Sequence, residues 1–128
     1  MSPSCPFCTL PLDRILYSTD HFTVIRDGFP VSPGHTLIIP HRHVGSLFQL
    51  DEAEFAALWP VLQWVRENVA AEFSPDDVNI GINDGPAAGQ TVPHLHVHVI
   101  PRYRGDRADP RGGVRWTLPE KADYWTKP

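Results

Sequence analysis

Gly89-Gln90-Thr91-Val92-Pro93-His94-Leu95-His96-Val97-His98-Val99-Ile100 carries three of the chain's seven histidines, in strict alternation with apolar residues. In a β-strand successive side chains point to opposite faces, so the alternation predicts a strand over 93–100. His94, His96 and His98 would line one face, and Leu95, Val97 and Val99 would line the other. Same-face residues lie roughly 6.5–7 Å apart, close enough for three imidazoles to surround one phosphate or one metal ion. A polar row of this kind is costly to bury unless something binds it. The Gly-Gln-Thr turn ahead of it offers backbone and side-chain donors.

Working outward, Arg14-Ile15-Leu16-Tyr17 and His21-Phe22-Thr23-Val24-Ile25-Arg26 read as strands rich in β-formers, joined by a turn at Ser18-Thr19-Asp20. Asp27-Gly28, Pro30, Pro33 and Gly34 break the pattern. His35-Thr36-Leu37-Ile38-Ile39-Pro40 resumes it, with an apolar centre that suggests burial on both faces. After a short turn or helix around Ser46–Leu50, Asp51 with Glu54 three residues on forms a capping-box pattern. Phe55, Leu58, Trp59, Leu62, Val65, Val69 and Phe73 then recur at helical spacing, and one helix is expected through Pro60, kinked about a turn earlier. Val78-Asn79-Ile80-Gly81-Ile82-Asn83 is a fourth strand, and Asp84–Val92 a Gly/Pro-rich loop. Val114-Arg115-Trp116 is a weak strand candidate. The pattern is α+β, an antiparallel sheet of about five strands with one main helix packed on it.

With 128 residues the chain supports one domain with a single core. No apolar run approaches the ~20 residues that span a bilayer, so no membrane partner is expected. Met1-Ser2-Pro3-Ser4-Cys5 shows neither a basic n-region nor an apolar h-region, which makes a cytoplasmic setting the default. A net charge of −4 argues against a nucleic-acid partner. Arg102, Arg104, Arg107, Arg111, Arg115 and Lys121 cluster in one stretch, either to attract a small anion or as a solvated tail. Cys5 and Cys8 are spaced C-x-x-C and read as metal ligands or reduced thiols sooner than as a disulfide.

His94-Leu95-His96-Val97-His98-Val99-Ile100, of the form His-φ-His-φ-His-φ-φ, resembles the signature of the histidine triad (HIT) superfamily of nucleotide hydrolases and transferases. The likeness extends to Pro33–Pro40 followed by His43-Val44, to Asn83–Thr91, and to Pro101-Arg102, and covers residues 5 to 107. The resemblance implies a single HIT-like domain over 1–128, with a core at about 5–107 and a C-terminal extension over 108–128. It implies that His96 is the nucleophile. Neutral imidazole, with a reference pKa near ~6.5, is largely deprotonated at pH 7 and can attack phosphorus. His98 would assist at the phosphate, while His35 and His94 would brace the catalytic set. Asn83, Gly89, Gln90 and Thr91 would supply donors to the phosphoryl oxygens, and Asp27 would bind ribose hydroxyls. Phe7 or Phe22 would sandwich the base.

The implied activity is hydrolysis or nucleotidyl transfer at the α-phosphate of a dinucleoside polyphosphate or related nucleotide. A nucleoside phosphoramidate hydrolase shares the His96 chemistry, and a nucleotide-binding interaction protein without turnover is the reading from another class. Taken alone, an H-x-H pair on a strand serves equally as metal ligands. Some members of the family carry a structural zinc, whose ligands correspond to Cys5, Cys8, His43 and His94. No cofactor is then required for the chemistry itself. The resemblance also implies a homodimer.

Overall fold

The computed structural model describes residues 4–127. Met1, Ser2 and Pro3, on which the expected lack of a leader partly rests, lie outside the described residues. Five strands form one sheet: β1 (Ile15–Ser18), β2 (Phe22–Arg26), β3 (Thr36–Pro40), β4 (Asp77–Gly81) and β5 (Val97–Arg102). Their order is β1-β2-β3-β5-β4, and every neighbouring pair is antiparallel. β1 and β2 are joined by a tight turn, β2 and β3 by the 27–35 loop and β4 and β5 by the longer 82–96 loop, connections that antiparallel neighbours allow. The β3–β5 pairing closes the sheet across helix α1 (Glu52–Phe73) and β4.

α1 begins at the expected capping box. The Glu54 N–H donates to Asp51 Oδ1 at 2.7 Å, and the Asp51 N–H donates to Glu54 Oε1 at 3.0 Å. Glu54 is itself buried and takes two bonds from Arg42, the residue before His43. The Arg42 contact, foremost, holds the Glu54 carboxyl below its ordinary value. The helix runs unbroken through Pro60 and buries Val61, Val65 and Val69 against Phe22, Val24, Ile38, Val97 and Val99. Phe55 and Trp59 instead stand exposed. At 3.6 residues per turn Trp59 lies about 120° round the helix from Val65, so the apolar residues form a stripe wider than the face the sheet can cover. No described helix is long and apolar enough to cross a membrane.

The opposite face of the sheet carries Ile25, Leu37 and Ile39, packed by Phe7 and Leu10 of the N-terminal lead. All five residues of β3 are buried, in keeping with its uninterrupted apolar centre.

β5 corrects the expected 93–100 strand. It starts at Val97 and continues to Arg102. Ahead of it the Leu95 N–H bonds the Val44 carbonyl at 2.7 Å and the His94 N–H bonds the Val92 carbonyl at 2.8 Å. These bonds turn the backbone towards the 41–45 segment beyond β3, and Pro93 has no N–H to offer a ladder. His94 consequently leaves the row of His96 and His98. The 114–116 strand is also not formed: Gly113–Thr117 is a 3-10 turn, entered through Gly112 at φ +95° and Gly113 at φ +48°. The basic stretch is largely internally paired, through Arg102–Asp106, Arg104–Asp76 and Arg111–Asp109. Arg115 lies over the Tyr124 ring at 4.6 Å.

Gly34 sits where the approach to β3 meets the end of α1. Its φ is +89°, and a Cβ there would come within 2.8 Å of the Phe73 ring. Gly34→Ala is expected to destabilise the domain by about 2–4 kcal/mol, since a left-handed non-glycine residue and overpacking each cost ~1–3 kcal/mol. Denaturant unfolding measures this loss.

Candidate active site and metal cluster

Three chain segments meet at the start of β5 and divide the histidines into two groups. The first group is His94, His43, Cys5 and Cys8, whose ligand atoms all lie within 4.8 Å of one another. His94 is fully buried, and its Nε2 is 2.8 Å from the Pro40 carbonyl. A carbonyl can only accept, so Nε2 carries the proton and Nδ1 keeps its lone pair. That Nδ1 faces Cys5 Sγ at 3.5 Å, Cys8 Sγ at 3.6 Å and His43 Nδ1 at 3.1 Å. Cys8 Sγ and His43 Nδ1 are 3.1 Å apart. Zinc with Zn–N about 2.0–2.1 Å and Zn–S about 2.3 Å spaces tetrahedral ligands about 3.3–3.8 Å apart, which is close to this arrangement. The two-thiol, two-imidazole donor set fits a closed structural site.

The second group lies in a cleft of ≈ 450 Å³ beside the sheet face that carries Ile25 and Leu37. His96 Nδ1 is 2.8 Å from the His94 carbonyl and must donate to it, so the lone pair of His96 is on Nε2. The Phe7 ring stands edge-on to His96, with centroids 5.0 Å apart. His35 Nδ1 accepts from the Val31 N–H at 3.1 Å, which puts its proton on Nε2. From there it reaches His98 Nδ1 at 2.9 Å and Asp27 Oδ2 at 3.4 Å. His98 Nδ1 is therefore an acceptor, and its own proton sits on Nε2. Asp27 Oδ1 accepts from the Phe29 N–H at 2.8 Å. Burial lowers the pKa of both His35 and His98 and favours their neutral forms; for His98 the neighbouring His96 and His35 act in the same direction, and for both Asp27 opposes it.

Asp27, His35 and His98 also present three possible metal-ligating atoms. The His35–His98 hydrogen bond and the 3.4 Å contact between His35 and Asp27 hold these three groups together.

Asn83 and Thr91 line the cleft, but Gly89 and Gln90 do not. The Gln90 side chain is taken up by the loop itself: Oε1 accepts from the Gly85 N–H, and Nε2 donates to the Gly45 and Val92 carbonyls. Gly89, at φ +93°, allows that loop to turn. Phe22 is buried on the helix side of the sheet and cannot reach a ligand, whereas Phe7 lines the cleft. Sequence reading missed Arg14, Phe29, Ile25 and Leu37 in the cleft wall. The period-2 pattern of β2 and β3 was the available signal for the last two, because residues alternating with the helix-facing Val24 and Ile38 must emerge on the cleft side.

The chain matches the family model "HIT domain" over residues 12–105. It is 47% identical over 93 residues to a bis(5'-nucleosyl)-tetraphosphatase (asymmetrical) of Schizosaccharomyces pombe, covering 73% of this chain and 51% of that one. It is 41% identical over 100 residues to the nitrilase and fragile histidine triad fusion protein NitFhit of Caenorhabditis elegans, covering 78% of this chain and 23% of that protein. The chain thus spans about half or less of the length of these curated relatives. Among solved structures, a zinc-bound histidine triad family protein from Mycobacterium smegmatis is 38% identical, covers 83% of this chain and 80% of its own, and superposes with a TM-score of 0.72. The ordered histidines, the five-stranded sheet with its one long helix and the match over 12–105 agree: the chain belongs to the HIT family.

Proposed function

We propose that the domain hydrolyses dinucleoside polyphosphates through a nucleotidyl-histidine on His96. The carrying observation is the bond from His96 Nδ1–H to the His94 carbonyl, which leaves Nε2 as an unprotonated nucleophile in the cleft. Nε2 attacks the α-phosphorus and the N–P bond forms. The P–O bond to the leaving nucleotide breaks, and its electron pair departs on the leaving phosphate oxygen. Water then attacks phosphorus, and the N–P bond breaks with its electron pair returning to His96 Nε2. The proton lost by the water restores the one given up by His98 Nε2, releasing a nucleoside monophosphate and free His96. His98 Nε2–H, set by the relay from Val31 through His35, donates to the phosphoryl or leaving oxygen. Asn83 and Thr91 add polar groups, Asp27 suits ribose hydroxyls, and Phe7 with Ile25 and Leu37 supplies an apolar wall for the base. Gln90 and Gly89 act by shaping the adjoining loop. The S. pombe relative's name supports the substrate class.

We further propose that Cys5, Cys8, His43 and His94 hold a structural zinc, which fastens the N-terminal lead and the start of β5 to the segment after β3. The remaining assignments are a single domain with an extension over 108–128, a cytoplasmic setting, no nucleic-acid partner, and a homodimer. Exposed Phe55 and Trp59 on α1 support the dimer, because they offer an apolar surface for a second copy.

His96→Ala should lower turnover of diadenosine tetraphosphate on the order of 10⁶-fold, as loss of a nucleophile does elsewhere. Its melting temperature should stay close to that of the unchanged protein, and mass spectrometry should find the nucleotidyl adduct only where His96 is present. A variant that keeps its turnover would overturn the mechanism.

Elemental analysis should give one zinc per chain, and Cys8→Ser or a strong chelator should lower the melting temperature. Below that transition kcat should persist, because the metal takes no part in the reaction. Zinc-free protein of undiminished stability is the opposing result.

His98 also predicts a pH dependence. Its pKa is lowered on folding, so the unfolded chain binds the proton first as pH falls. Stability should therefore decline as pH drops below ~6.5 towards the lower folded value. Denaturation midpoints between pH 7.5 and 5 should show this decline, with a shallower slope in His98→Asn.

A further inference from the structure

A second cleft, of ≈ 560 Å³, opens on the same side of the sheet as the His96 cleft. Val31 lines both. On β5, Val97 and Val99 pack towards α1, so His98, Ile100 and Arg102 share the other face. His98 lines the first cleft and Ile100 the second, so the two are consecutive stations along one strand.

The second cleft is built, not incidental. One wall is the 31–33 segment, held by Ser32 Oγ donating to the Pro101 carbonyl at 2.8 Å and by Tyr103 OH donating to the Pro33 carbonyl at 2.7 Å. The other is the 3-10 turn of the C-terminal extension, seated on β4 so closely that a Cβ on Gly113 would lie 3.3 Å from Asn79 Nδ2. Trp116 is fixed there by its Nε1–H, which donates to the Arg111 carbonyl at 2.7 Å, and the residue is 40% exposed. Val114 and Ile100 add apolar surface. Arg107 also lines this cleft and makes no ion pair among the described residues. The volume falls within the ~300–1,000 Å³ of small-molecule sites.

We propose that this cleft is the subsite for the leaving half of a dinucleoside polyphosphate, a nucleoside di- or triphosphate whose base stacks on Trp116 and whose phosphates meet Arg107. The inference rests on the nucleotidyl-histidine reading. In a phosphoryl transfer the attacking and leaving groups lie roughly in line, so the leaving group departs from phosphorus on the side away from His96 Nε2. From His96, the strand leads past His98 to Ile100 and into this cleft. The C-terminal extension thereby becomes a specificity element: it selects the leaving group and takes no part in attack.

The test compares two substrates with the same transferred adenylate: diadenosine tetraphosphate, and the p-nitrophenyl ester of adenosine 5'-phosphate, whose leaving group is too small to span both clefts. Trp116→Ala should lower kcat/KM for the tetraphosphate about tenfold, the loss of one stacked base, and leave the ester within about twofold of its original value. Val114→Glu, at a position 65% exposed, places a carboxylate in the cleft, where its charge opposes an anionic leaving group, and should show the same selective loss without disturbing the fold. Trp116→Phe should recover most of the tetraphosphate activity. Equal losses on both substrates, or no loss on either in both variants, overturn the subsite while the His96 reading stands. Failure of the unchanged protein to turn over either substrate overturns that reading and the subsite with it.

Discussion

Two backbone carbonyls decide which nitrogen of each neighbouring imidazole is free. The Pro40 carbonyl takes the Nε2 proton of His94, and the His94 carbonyl takes the Nδ1 proton of His96. Two histidines only two residues apart therefore present opposite nitrogens to opposite surroundings. His94 turns Nδ1 towards two thiols and a third imidazole; His96 keeps Nε2 for the cleft. The first bond requires the end of β3 and the approach to β5 to run side by side, whereas the second is local to residues 94–96; the N-terminal lead, the 41–45 segment and the cleft wall are arranged around that approach. Were residues 93–96 a regular strand, His94 would join the other two imidazoles and the cysteines would have no buried partner.

The cleft combines three imidazoles with one carboxylate, Asp27, and one guanidinium, Arg14. Burial holds His35 and His98 unprotonated, and their hydrogen-bond chain leaves one donor and one acceptor at each ring. No described buried side-chain nitrogen or oxygen lacks a hydrogen-bond partner, so the polar set carries little desolvation penalty of its own. Donors fixed in this way need no reorganisation when charge develops on a bound group, as the proposed phosphoryl transfer requires. Gly34 ties this chain to the helix, since it precedes His35 and touches Phe73.

Much of the architecture was legible because its signals are local. Asp51 and Glu54 announce the start of α1, the centre of β3 is uninterruptedly apolar, and the alternation at Val97, His98 and Val99 names the two faces of β5. The features that escaped are governed by contacts distant in sequence. The His94-Leu95-His96 triplet reads as strand until Val44, some fifty residues earlier, takes the Leu95 N–H. Gln90 reads as a ligand donor until its amide is found bonded to Gly45. Trp59 fits the apolar stripe, but the sheet is narrower than the stripe. The C-terminal extension looked polar and irregular because its order comes from arginine–aromatic stacking and from Trp116 on a carbonyl, neither of which has a period.

The antiparallel pairing of β3 with β5 has a kinetic meaning as well. The β1–β2–β3 meander and the β4–β5 hairpin are each made of contacts close in sequence, but joining them must close a loop that contains α1. Contacts of this separation cost loop entropy before they contribute any stability, and they slow the folding of the domains that depend on them. His35 belongs to the first half; His94, His96 and His98 belong to the second. The proton relay and the tautomers it sets come into being only at that docking step, so a half-folded chain holds every residue of the site and none of its chemistry.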